Sequence, residues 1–336
     1  MWLEYFKQIV RVIKRILTYL LPCYIFMKIF IKYLKSFLKE DFRLTTYLPV
    51  LVYLACFISI NYTFHFEHRT LDKYVGTVSG FIYYFIFYGT AYFPVAVYVL
   101  LMNGKNDVLK NKWFWIRAGF IIALLAGSAF FSFYRQIIDI FQSPGEKYLI
   151  RKILYNSRNV FMILIPLVLF WYFLKPHKSG FLWIRFKKLN LVPYFMILLC
   201  IMPLIFTASF GFDFQVTYPT FKPWNTQPAF GMERWQSAGI YEIFYGLDFI
   251  TVEMLFRGAL VVGMVKLLGK ECILPMISVY CFLHFGKPMG EAISSIFGGY
   301  ILGIIAFNTE SIVGGALVHM GVEWMMEIFA YFQHYL

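Results

Sequence analysis

The chain is constrained most by where its charges are missing. Residues 44–64 hold no Asp, Glu, Lys, Arg or His over 21 positions, and residues 74–104 hold none over 31. Residues 118–134, 159–174, 189–212 and 292–309 give further runs of 17, 16, 24 and 18. A membrane-spanning helix needs about 20 mostly apolar residues. These runs are too long for strands and lack the alternation of a barrel. The fold class they predict is all-α, a polytopic transmembrane helical bundle. Every backbone N–H and C=O must be satisfied inside hydrocarbon, and helices do this within the segment. Windows place about eight or nine spans, at 44–64, 76–102, 113–134, 159–175, 191–210, 240–265, 272–287, 289–307 and 311–333. With 60% hydrophobic and 15% charged residues, a solvated surface and a disordered chain are both excluded.

The net charge of +13 is unevenly spread. Residues 1–43 carry nine Lys/Arg against three acids. Lys7, Arg11, Lys14 and Arg15 share one helical face, as do Lys28, Lys32, Lys35 and Lys39, with apolar residues opposite. This is the pattern of amphipathic helices lying at a membrane surface. The partner it indicates is the lipid bilayer and not nucleic acid. Lys/Arg in the alternate loops place the N-terminus in the cytoplasm, in a plasma (inner) membrane. Segment 135–158 breaks the trend, holding five cations on the outer side. The division that follows is 1–43 interfacial, 44–238 N-terminal membrane helices, and 239–336 a distinct core.

That core is marked by charges intruding into apolar runs: Glu242, Asp248, Glu253, Arg257, His284, Glu291, His319, Glu323 and Glu327. A charge at the bilayer centre costs about 2.5–3.5 kcal/mol on insertion scales. These residues therefore must face a polar interior. Glu253 and Arg257 stand four apart on one helical face, and His319, Glu323 and Glu327 form a second stripe. Such a set can activate water, hold a divalent metal such as zinc, or carry an ion.

Other features have plainer readings. The five scattered cysteines read as buried apolar residues. Ser295, Gly299 and Gly303, four apart, permit close helix packing. Ser294 or Ser295 as a nucleophile lacks a base in the sequence. The loop 211–239, with three prolines and two tryptophans, reads as an interfacial anchor or a lid over the site.

In order, Val252-Glu253-Met254-Leu255-Phe256-Arg257-Gly258, Tyr280-Cys281-Phe282-Leu283-His284 and His319-Met320-Gly321-Val322-Glu323 resemble the three motifs of the CAAX protease and bacteriocin-processing family. Those motifs are EExxxR, FxxxH and HxxxN or HxxxD. The resemblance covers about residues 240–333. It implies an intramembrane endopeptidase cleaving a membrane-associated peptide or protein. A motif-one glutamate and His284 would activate water, and the motif-three pair would stabilise the oxyanion. Glu253, His284, His319 and Glu323 are then the catalytic set, Arg257 supports them, and the same four are the candidate metal ligands.

This chain departs from the pattern in three places. Val252 replaces the first glutamate, Tyr280 replaces the phenylalanine, and Glu323 stands where Asn or Asp is expected. Tyr280 reads as a mild change. Glu323 either restores the missing carboxylate or marks a site that has lost proteolysis, leaving a membrane scaffold or bacteriocin-immunity protein. A transporter is the third reading.

Overall fold

A computed structural model describes residue 31 and residues 34–174, 183–186, 191–225 and 227–335. Among them the regular structure is entirely helical. The principal helices are α1 (Leu44–Phe64), α2 (Val78–Met102), α3 (Lys112–Phe130), α4 (Pro144–Tyr172), α5 (Val192–Ala208), α6 (Arg234–Glu253), α7 (Ile273–Leu283), α8 (Met289–Thr309) and α9 (Val313–Tyr335).

Five helical stretches are long and apolar enough to cross a membrane: α1, α2, Lys112–Ile138, α4 and α8. The chain is a membrane protein with several such helices. α5 is apolar but has 17 residues. α6 and α9 are long but carry the acids of the core.

Some boundaries differ from the sequence windows for physical reasons. α4 begins 15 residues before the window at 159, because its cations find partners on the helix itself and in a distant loop. Arg158 lies 3.9 Å from the Tyr155 ring centre, and Lys152 donates to the Thr220 carbonyl at 2.6 Å. The exceptional 135–158 segment is thus largely the first half of α4. α6 starts early because Glu233 and Gln236 form a capping box.

The expected N-terminal amphipathic helices lie mostly outside the described residues. Residues 34–41 are helical, with Lys35 and Lys39 exposed. Phe37 packs edge-on against Tyr300 and Phe307. Of the cysteines, Cys272 and Cys281 are buried as expected. Cys56 and Cys200 are exposed on the apolar outer faces of α1 and α5.

α7 packs against α1, α2, α8 and the wide turn after α6. Its residues Ile273 to Phe282 are all buried. It stops after 11 residues, far short of a span. Carbonyls beyond its end find donors on α1: Asn61 Nδ2 reaches Phe285 O at 3.0 Å, and the Tyr62 hydroxyl reaches Lys287 O at 2.7 Å. Broken backbone among apolar helices is tolerated where protein supplies such partners. The small-residue stripe of α8 lets α7 approach. An added Cβ on Gly299 would come within 3.0 Å of Tyr280, and one on Gly303 within 2.8 Å of Met276.

Candidate functional site

Glu253, Arg257, His284, His319 and Glu323 converge on the space between α6, α7 and α9. Glu253 is the last residue of α6, and a π-helical turn, Met254–Val262, follows it. Wide turns of this kind are rare and frequent at functional sites. Glu253 and Arg257 are both fully buried, with Oε1 2.8 Å from Nη1. The same Oε1 lies 3.0 Å from His319 Nδ1. Glu253 and Val252 both sit in regular helix, so Glu253 joins α9 and does not take over the position of the missing glutamate.

The histidine tautomers follow from these contacts. A carboxylate only accepts, so His319 carries its proton on Nδ1 and presents a bare Nε2. The Tyr280 hydroxyl meets that nitrogen at 3.2 Å. His284 Nδ1 donates to the Tyr280 carbonyl at 2.7 Å, so its Nε2 is bare as well. The His284 ring lies 4.6 Å from the Tyr280 ring, centre to centre. Tyr280 therefore stands between the two imidazoles, with the Arg257 guanidinium 4.3 Å from its ring centre. The change from phenylalanine to tyrosine places a hydroxyl in the middle of the site.

Glu323 lies 3.8 Å from His319 Nε2. It accepts from the Tyr245 hydroxyl at 2.8 Å and lies 3.5 Å from Lys287 Nζ. Lys287 also pairs with Glu291 at 2.5 Å. Tyr218 closes this second layer, donating to Glu291 at 2.8 Å. Its burial pushes its pKa well up, so it stays a donor. Tyr218 belongs to the 211–239 loop, which thus packs into the layer beside the site. The loop's Trp224 stacks on His334 at 3.8 Å, while Trp235 is exposed.

Other intruders have separate partners. Glu327 accepts from the backbone and hydroxyl of Thr220, and Asp248 accepts from Asn159 at 2.6 Å. Both carboxylate oxygens of Glu242 are buried without a hydrogen-bond partner among the described residues. Ser294 and Ser295 both donate to carbonyls of their own helix, which fits a packing role.

The donor set does not suit a metal. No group of three or more His, Cys, Asp or Glu among the described residues is placed to hold one. Glu253, His284, His319 and Glu323 were the expected ligands. The first already meets a guanidinium and an imidazole N–H. Each histidine keeps one bare nitrogen, Nε2, and Arg257 adds a fixed positive charge beside Glu253. Zinc needs several unprotonated donors at about 2.0–2.2 Å.

Four members of this arrangement were not singled out from sequence, Tyr218, Tyr245, Lys287 and Gly315, and Tyr280 was read only as a mild change. Gly315 is one turn before His319. A Cβ there would fall 2.5 Å from Glu253 Oε2, so only glycine leaves room for the carboxylate beside α9. Comparison of the chain with protein-family models, curated proteins and solved structures finds no match.

Proposed function

We propose that the chain is a multi-pass intramembrane endopeptidase of the CAAX protease and bacteriocin-processing type, with eight or nine spans and a cytoplasmic N-terminus. The observation that carries this reading is the Glu253–His319 contact, which leaves a bare, basic Nε2 facing Tyr280 and Glu323.

In this mechanism a water displaces the Tyr280 hydroxyl from His319 Nε2. His319 takes a proton from the water as its oxygen adds to the scissile carbonyl. The imidazolium formed lies between Glu253 and Glu323, and opposite charges this near stabilise it. The displaced Tyr280 hydroxyl is the donor nearest to hand for the oxyanion. His319 then returns the proton to the leaving amine as the carbon–nitrogen bond breaks. His284 Nε2 holds the water in line. Arg257 fixes Glu253 in place through their 2.8 Å contact. This division of labour moves the base from the glutamate to His319, which suits a chain with Val252 at the first motif position. The substrate is a membrane-associated peptide or protein.

The specific support for a non-catalytic scaffold is closure: His284 is 6% and His319 7% exposed. New protein termini in membranes from producing cells, read by mass spectrometry, separate the two readings. An endopeptidase gives termini that His319→Ala and Glu253→Gln abolish and Ser294→Ala leaves intact. Identical termini in wild type and His319→Ala would leave the scaffold standing.

A further inference from the structure

A second feature lies on the far side of α7 from His319. A cavity of about 420 Å³ opens between α1 and α2. That size is within the range of small-molecule and lipid-chain sites, about 300–1,000 Å³. Its inner wall is Phe57, Phe87, Phe282 and Phe285. Ile60 and Ile86, both exposed, flank its mouth. α1 and α2 are both long and apolar enough to cross the membrane, so the mouth opens onto acyl chains.

One end of the cavity meets the link 65–75. Phe66, Thr70, Leu71 and Tyr74 of that link line it. The exposed cations Arg69 and Lys73 alternate with them in sequence. Of the two acids of the link, only Asp72 sets a negative charge against these two cations. Asp72 accepts from Tyr84 at 2.8 Å and lies 3.1 Å from His68. Glu67 is pushed up to about 8, by burial first and Asp72 second, and so is largely uncharged at neutral pH. An apolar slot facing hydrocarbon, ending at two cations just outside the helix ends, has the layout of an amphiphile with an anionic head.

We propose that this groove binds one anionic phospholipid, with an acyl chain against Phe282 and Phe285 and the headgroup phosphate at Arg69 and Lys73. The two phenylalanines bracket His284, and Asn61 of the cavity wall holds the Phe285 carbonyl. The bound chain therefore props the turn that carries His284. The inference does not depend on the peptidase reading.

The test uses the full chain purified in detergent, with dioleoylphosphatidylglycerol and dioleoylphosphatidylcholine as probes. Native mass spectrometry reads retained lipid, and a diazirine-bearing phosphatidylglycerol reads position. The expected result is one retained phosphatidylglycerol, held at least tenfold more tightly than phosphatidylcholine, with labelling confined to peptides of α1, α2 and the 65–75 link. Ile86→Trp, and independently Ile60→Trp, should block the mouth and remove the label while keeping the wild-type melting temperature. Arg69→Gln with Lys73→Gln should keep the label but lose the headgroup preference. Free glycerol phosphate should not compete, because the chain supplies the anchoring. Equal retention of both lipids, or labelling unchanged by both tryptophans, would mean annular lipid only and overturn the proposal.

Discussion

α4 and α7 both carry apolar stretches and place them in opposite surroundings. α4 runs 29 residues with 17% of its apolar window buried in protein, so most of its side chains keep some exposure. α7 runs 11 residues and is buried almost throughout. A lipid-facing helix must be long and self-sufficient, because hydrocarbon offers its backbone no partner. A helix wrapped in protein can be short and can end in a turn. It can also sit beside charges, since neighbours supply the donors and counter-ions. The polar site is built where the second condition holds.

Breaking the polar interior should therefore hurt far more than altering the outer helices. Arg257→Ala leaves Glu253 buried without its cation and should destabilise the protein by about 3–5 kcal/mol. Adding Glu253→Gln to that variant should restore most of the loss, a coupling that thermal unfolding in detergent measures as a double-mutant cycle. An additive result would mean that the pair is not linked as its 2.8 Å contact requires.

Gly315→Ala is expected to cost about 1–3 kcal/mol through overpacking against Glu253. It should also weaken the Glu253–His319 bond, which the NMR shift of the His319 Nδ1 proton reports. An unmoved proton would show that the carboxylate has other room.

Glu67 tests the boundary between the two environments. Its pKa is raised from 4.5 to about 8, chiefly by burial. The native state then holds a proton that the unfolded chain releases above about pH 4.5. The native stability is full below that pH and declines as pH rises to about 8. Glu67→Gln should flatten this decline, with a higher melting temperature than wild type at about pH 8.5 and little difference at about pH 4. Parallel pH profiles would place Glu67 in water.

Leu48→Ala, on the exposed side of α1, should change stability by less than about 0.5 kcal/mol. Lipid is as apolar as leucine, so little is lost with the side chain. A large loss there would reveal a protein contact on a face that now reads as lipid-facing.

The membrane class was legible because missing charges leave long, countable gaps. The site was legible for the same reason inverted: a charge in such a gap is expensive. Glu253, Arg257, His284, His319 and Glu323 all announce themselves in this way. Their partners do not. With 25 tyrosines in the chain, nothing in the sequence distinguishes Tyr245 or Tyr218 from those that only fill space, and Tyr280 stands out only by its motif position. Lys287 reads as a loop cation until its three oxygen partners are seen. Gly315 looks like helix padding, because what it avoids comes from another helix. The start of α4 was hidden by cations whose aromatic and carbonyl partners lie on other turns and in a distant loop.

The split at Gly239 is sound as a map of where charge occurs but not as a line along which the molecule comes apart. Asn61 and Tyr62 hold the backbone past the end of α7. Thr220 holds Glu327, and Tyr218 holds Glu291. A fragment starting at Gly239 would keep all three motifs and lose each of these donors. The residues before Gly239 thus behave as a mould: they bear none of the motifs, yet they supply donors that hold the motif-bearing part. Loops and helix faces in the first two thirds of the chain are accordingly places where site geometry can be inherited or lost with no motif residue changed.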